Sequence, residues 1–145
     1  MSLIENKKAY FNYEILEKLD AGIELFGFEV KALRKGQGSL EGTHITVRGN
    51  EAFLIGMNIP PYQTANTPKD YEPTRNRKLL LTKKEILSLI GTEKQKGLTI
   101  VPISVYNKGR KLKLSLGVAR GKKKFDKRQT IKKRETDREI RREMK

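Results

Sequence analysis

Few residues of this 145-residue chain have the types and spacing that catalytic or metal chemistry requires. His44 is the only histidine and there is no cysteine, so a zinc cluster lacks its ligands. A Ser-His-Asp arrangement has to use that same histidine, and no Gly-x-Ser-x-Gly elbow presents a serine to it. His44 therefore reads as a surface residue or the start of a strand. Asp20, Glu24 and Glu29 are the only carboxylates that could form a titratable centre for an RNA-processing reaction. Gly36-Gln37-Gly38 lacks the third glycine and the Lys-Ser/Thr of phosphate loops, and a turn is the better reading. Phe26-Gly27-Phe28 has the aromatic spacing of an RNP1 motif, but Glu24, Leu25 and Glu29 stand where that motif needs a cation, a glycine and a valine. No catalysis, cofactor, metal or small-molecule substrate is expected.

The basic residues are harder to dismiss. With 32 Lys and Arg against 17 Asp and Glu, the net charge is +15, which makes a polyanion the default partner. Lys7, Lys8, Lys31, Arg34, Arg75, Arg77, Lys78, Lys111, Lys113 and Lys122–Lys124 recur on or beside separate predicted strands. A nucleic acid that neutralises many of them gains affinity by counterion release; the bland alternative is a solvated basic face. A membrane surface would want an apolar stripe opposite the charges. No run of 18 apolar residues occurs, and MSLIENKKAYFNYEI has no apolar h-region, so a cytoplasmic protein without a membrane partner is expected. The lack of cysteine is compatible with a reducing compartment.

The charge is uneven. Residues 120–145 hold 13 basic and 5 acidic residues, a net of +8. Phe125, Ile131, Ile140 and Met144 are the only large apolar residues there, too few to offset the ordering entropy. A body of residues 1–119 and a basic tail of 120–145, disordered when free, are expected. Within the tail, GKKKFDKR interrupts a cationic run with one ring. Phe125 can add a stacking contact of about 1–3 kcal/mol at one base and so give the run a register. Asp126 is either a solubilising charge or an acceptor that orients cations or RNA hydroxyls.

The body must position these groups. Its main apolar period is two: Phe11, Tyr13 and Ile15 share one face, as do Leu112, Leu114, Leu116 and Val118. Ile23–Leu33, Ile45–Arg48, Ala52–Ile55 and Thr99–Tyr106 also read as strands. Gly49-Asn50 and Asn107-Lys108-Gly109 are hairpin signals. Thr82-Lys83-Lys84-Glu85 fits a capping box that opens a helix through Ile86, Leu87, Leu89 and Ile90, with Gly91 as its stop. Short strands with one inserted helix predict a mainly β fold, an oligonucleotide-binding (OB) type closed antiparallel barrel; an SH3-like barrel gives the same local signals. The loop between Ile59 and Lys78, with four prolines, is long enough to be mobile or functional.

The ordered motifs resemble the small protein B (SmpB) family. They are Asn6-Lys7-Lys8-Ala9 with Tyr13; Ala21-Gly22-Ile23; Gly27-Phe28-Glu29-Val30-Lys31-Ala32-Leu33-Arg34; Ile59-Pro60 with Tyr62; Arg77-Lys78-Leu79-Leu80-Leu81; Glu85-Ile86; Gly97 with Val101-Pro102; Tyr106; and Gly121-Lys122-Lys123 with Asp126-Lys127-Arg128. The resemblance implies an OB-type barrel with a few short helices and a non-catalytic factor that binds the tRNA-like domain of transfer-messenger RNA and delivers it to stalled ribosomes for trans-translation. It implies an RNA surface at Asn6, Asp20, Lys31, Leu80, Lys113, Lys122 and Lys123, to which the basic pattern adds Lys7, Lys8, Arg34, Arg77, Lys78 and Lys111. It also implies that the tail enters the empty mRNA channel, with Phe125, Asp126, Lys127, Arg128, Lys132, Lys133 and Arg134 near the decoding centre of small-subunit RNA. Phe125 replaces the family's usual His or Tyr, so stacking carries over and side-chain hydrogen bonding does not; Ala32 replaces a usual Ser and His44 a usual aromatic. A monomer is expected. The alternative is a general single-stranded-RNA or ribosome-associated OB-fold protein.

Overall fold

The computed structural model describes residues 2–62 and 67–122. Its elements run β1 (Ser2–Glu5), α1 (Lys7–Asn12), β2 (Tyr13–Ile23), α2 (Gly27–Arg34), β3 (His44–Arg48), β4 (Glu51–Ile55), β5 (Arg77–Leu80), α3 (Lys83–Lys94), β6 (Leu98–Lys108) and β7 (Lys111–Gly121). The strands form one seven-stranded antiparallel sheet in the order β1-β6-β7-β2-β5-β4-β3. The fold is therefore mainly β with a few short helices. No hydrogen-bonded ladder closes the sheet among the described residues. It curls instead, so that edge strand β3 packs against β6 and α3 lies against both. The Glu93 carboxylate accepts from the Val47 amide at 3.2 Å, which fastens the helix to the edge strand.

Alternation sets the inner face. Ala21 and Ile23 of β2, Leu79 of β5, and Leu112, Leu114 and Leu116 of β7 are buried with Leu33, Leu40, Leu54, Met57 and Ile59 in one core. A fully buried Leu or Met contributes about 1.5–3 kcal/mol. Gly117 lets β2 and β7 close at the bulge between Ile15 and Glu17, since a Cβ there would lie 3.0 Å from Ile15 Cγ2 and 3.2 Å from the Glu17 carbonyl oxygen. Both hairpin signals hold. Gly49 and Asn50 have φ of 55° and 65°, the positive values a two-residue turn between twisted strands requires, and Lys108 pairs with Lys111 around Gly109.

Two predicted strands are partly helical. Tyr10–Asn12 belongs to α1, which buries Ala9 against Val101 and Ala119. Six residues are too few to display a 3.6-residue period, and the spacing of Phe11 and Tyr13 continues across the helix end into β2. Ile23–Leu33 ends its strand at Ile23 and enters α2 at Gly27. At the third helical position the Glu29 carboxylate reaches back to the Phe26 amide at 2.8 Å, although Phe26 has no side-chain acceptor to return the bond. Gly36, at φ 76°, ends α2 with bonds from Gly36 N to Leu33 O and from Gln37 N to Ala32 O, so the lone Gly-x-Gly is a helix stop. The Thr82 capping box is complete, with bonds of 3.0 and 3.2 Å. Its helix nonetheless runs through Gly91 to Lys94, because the buried Leu89 and Thr92 bracket the glycine and their packing offsets its cost of about 1 kcal/mol. Strands β1 and β5 have no counterpart in the periodicity, being four residues each.

Candidate nucleic-acid interface

On the outer face the register gathers residues far apart in sequence. Tyr106 of β6 pairs with Lys113 of β7, Lys113 with Gly22 of β2, and Gly22 with Leu80 of β5. One row across four strands thus reads tyrosine, lysine, glycine, leucine. The adjacent row holds Ser104, Ser115 and Asp20. Leu80 is 50% exposed at a strand position that repays burial elsewhere, an uncovered apolar group flanked by Lys113 and Lys78. Gly22 keeps the row flat, as a Cβ there would lie 3.1 Å from Leu80 Cβ. A groove of about 560 Å³ runs past Asp20, Lys78, Leu80 and Lys113. The Tyr106 hydroxyl is pushed above the ordinary tyrosine pKa by burial and by its hydrogen bond to Asp20.

A second groove, about 240 Å³, adjoins through Ser104 and Ser115 and reaches Asn6, Lys7, Tyr10 and Lys18. Asn6 is fixed there: its side-chain amide donates to the Pro102 carbonyl at 2.9 Å and its backbone amide to Ile103 at 2.8 Å. Lys18 Nζ sits 5.3 Å from the centre of the Tyr10 ring. Lys18 is absent from the contacts expected from sequence, and Tyr106 enters there only as a strand residue and a family motif; period two places Lys18 on the face of Asp20 and Gly22.

The other predicted cations divide. Lys111 and Arg34 are exposed around the β6–β7 hairpin, where Arg34 Nη2 donates to the Arg110 carbonyl at 2.8 Å. Lys31 is exposed on α2. Lys78 meets Glu51 at 3.1 Å and Lys8 meets Glu41 at 2.6 Å; such exposed pairs are worth at most about 1 kcal/mol, so a phosphate can compete for either lysine. The Lys122 amide donates to the Asn12 carbonyl at 2.8 Å, next to the end of β7. Lys123, Phe125, Asp126, Lys127, Arg128, Lys132, Lys133 and Arg134 lie outside the described residues.

Arg77 is the correction. It has no exposed surface, so it cannot touch a phosphate. Its Nε and Nη2 donate to Glu29 Oε2 at 2.9 and 2.6 Å, Nη1 to the Met57 carbonyl at 2.6 Å, and Nη2 also to the Pro73 carbonyl at 2.9 Å. Arg75 binds the same carboxylate and lies over the Phe26 ring, 4.1 Å from its centre. The Tyr71 hydroxyl is 2.8 Å from Glu29 Oε2. Burial and then Glu29 push its pKa up to about 12, as befits a phenol that donates to a carboxylate. Burial pushes Glu29 up as well, but the bonds from Arg75, the Phe26 amide, Arg77 and Tyr71 outweigh it and leave its pKa below the ordinary value. This network is a clamp that holds the proline-rich loop to α2 and β5, and β5 carries Leu80. It also occupies Glu29, one of the three carboxylates open to a catalytic reading. Among the described residues no group of three His, Cys, Asp or Glu could hold a metal.

The family model described as SmpB protein matches residues 3–145. This chain belongs to the SmpB family. Similar SmpB-family proteins include the SsrA-binding protein of Synechococcus sp. (strain JA-3-3Ab), 51% identical over 99% of this chain and 94% of the relative. That of Paraburkholderia xenovorans (strain LB400) is 46% identical over 96% and 94%. A solved chain from work described as "tmRNA-SmpB: a journey to the center of the bacterial ribosome" superposes with a TM-score of 0.69 at 44% identity, covering 83% of this chain and 84% of that one. These relatives carry the name SsrA-binding protein.

Proposed function

We propose that this protein binds the tRNA-like domain of transfer-messenger RNA and delivers it to stalled ribosomes for trans-translation, acting in the cytoplasm as a binding factor rather than an enzyme. The observation that carries this is the outer row of Lys113, Gly22 and Leu80 in a member of a family whose relatives are SsrA-binding proteins. Exposed cations on several strands suit a folded RNA, whose phosphates present at many angles while few base edges are open. Asn6, Lys7, Lys8, Asp20, Lys31, Arg34, Lys78, Leu80, Lys111, Lys113, Lys122 and Lys123 form the proposed surface, with Arg77 supporting it from beneath. The curled sheet, with α3 across the gap between β3 and β6, works as an OB-type barrel. The body is residues 1–119 and the tail 120–145, with β7 running to Gly121 across that boundary. The remaining tail enters the mRNA channel, where Phe125 stacks near the decoding centre.

Competition binding tests the reading. Transfer-messenger RNA should displace a labelled tRNA-like fragment far better than an unstructured RNA of equal length and charge. Equal competition would leave only a general single-strand binder.

A further inference from the structure

We infer that the slot between α2 and the β6–β7 hairpin is a receptor for one unstacked nucleobase, a site that rests on the RNA-binding function proposed above. The slot measures about 310 Å³, at the lower end of the roughly 300–1,000 Å³ typical of small-ligand sites. Leu25, Val30 and Leu112 give it apolar walls, and Arg110, Lys111 and Lys113 line it as well. No carboxylate is among its described lining residues. A second apolar groove, about 390 Å³ over Phe26, Phe28 and Tyr71, carries Asp70 and Glu72 beside Arg75, whose guanidinium is already paired with Glu29, and is the less suited to a phosphate. The hairpin slot joins an apolar interior to cations with no carboxylate among its described lining residues, the combination that suits a flat ring with a phosphate on either side.

The walls are set in advance. Arg34 Nη2 ties α2 to the hairpin tip through the Arg110 carbonyl, and Gly109, at φ 63°, makes the tight turn that presents Arg110. Gly22 borders the slot beside Leu80, and its missing side chain keeps that border low. Proteins read unpaired RNA bases by stacking them on flat or apolar side chains, arginine planes included. Arg110 supplies such a plane, and Val30 an apolar wall. Neither residue follows from the basic pattern of the sequence.

The test uses methyl and amide NMR of the full chain with adenosine and uridine monophosphates, and inorganic phosphate at equal ionic strength as the control. Either nucleotide should shift the methyl signals of Leu25 and Val30, whereas phosphate should move only signals around Arg110, Lys111 and Lys113. Val30→Phe, which fills the slot, should abolish the methyl shifts. It should also lower the affinity for transfer-messenger RNA about tenfold, the loss of one stacked base, with an unchanged salt slope. Arg110→Ala, at an exposed turn, gives the same direction of effect without touching the core. Methyl shifts from phosphate alone, no methyl shifts from either nucleotide, or both variants binding the RNA like the unaltered protein would each overturn the slot. Retained RNA binding in those cases leaves the wider function standing, while failure of the unaltered protein to bind transfer-messenger RNA removes both.

Discussion

Arg77 and Glu29 meet out of reach of solvent, Nη2 2.6 Å from Oε2, with no exposed surface on either side chain. The two residues are 48 positions apart in sequence, so this contact fixes how β5 lies against α2. Desolvating two such charges costs several kcal/mol each, and only complete hydrogen bonding recovers it. Removing one partner is therefore expected to be severe. Arg77→Met should destabilise the fold by about 3–5 kcal/mol, read as a drop in the midpoint of chemical unfolding. In a double-mutant cycle with Glu29→Leu, the pair of changes should cost less than the sum of the single ones, and strict additivity would show that the two groups do not interact.

The same network predicts an acid limit. Glu29 has a folded pKa below its ordinary value of 4.5, so its contribution is complete above about pH 4.5 and is lost as pH falls through the lower folded value. Unfolding free energy measured between pH 6 and pH 3 should decline more steeply for the unaltered protein than for Glu29→Gln. Parallel curves would assign the acid loss to other carboxylates.

Lys113 and Leu80 sit in one row but should fail differently. Lys113→Ala, which deletes one proposed phosphate contact, should lower the slope of log K against log salt by about 0.7–0.9. Leu80→Ser should weaken binding with the slope unchanged. Identical slopes for Lys113→Ala and the unaltered protein would mean that this lysine is merely solvated.

Gly22 tests the need for a flat row. Gly22→Val has to push Leu80 aside, because even a Cβ meets its neighbour at 3.1 Å, and overpacking of this kind costs about 1–3 kcal/mol. RNA affinity measured well below the melting temperature should fall more than for Gly91→Ala, where nothing lies within 4 Å. Equal affinities would show that the RNA does not approach this row.

The division into body and tail makes a separate claim. A chain ending at Lys122 should keep most of its affinity for transfer-messenger RNA in filter binding and lose ribosome rescue in a translation extract. Loss of both would place the RNA contacts in the tail.

Much of this molecule is local and so can be read from order alone. The hairpin at Gly49-Asn50, the β6–β7 pair and the Thr82 capping box depend on residues within a few positions of one another, and their turn and cap chemistry is specific. The ordered motifs carry the family in the same way, whereas the net charge points only to a polyanionic partner. The end of α1 and most of α2 read as strand in the sequence because short helices draw their stability from tertiary packing rather than from their own period, here from Ala9 on Val101 and Ala119 and from Leu33 in the core. Arg77 reads as a surface cation in the sequence because charge implies water by default. Its parity with the buried Leu79 was the available signal, but it says only which face the residue is on. That a buried arginine is tolerable depends on Glu29, Tyr71, Met57 and Pro73 arriving from other segments, and no local pattern encodes such a meeting. The row of Lys113, Gly22 and Leu80 is likewise a product of register, which long-range pairing of β2 with β5 and β7 fixes and the linear sequence does not contain.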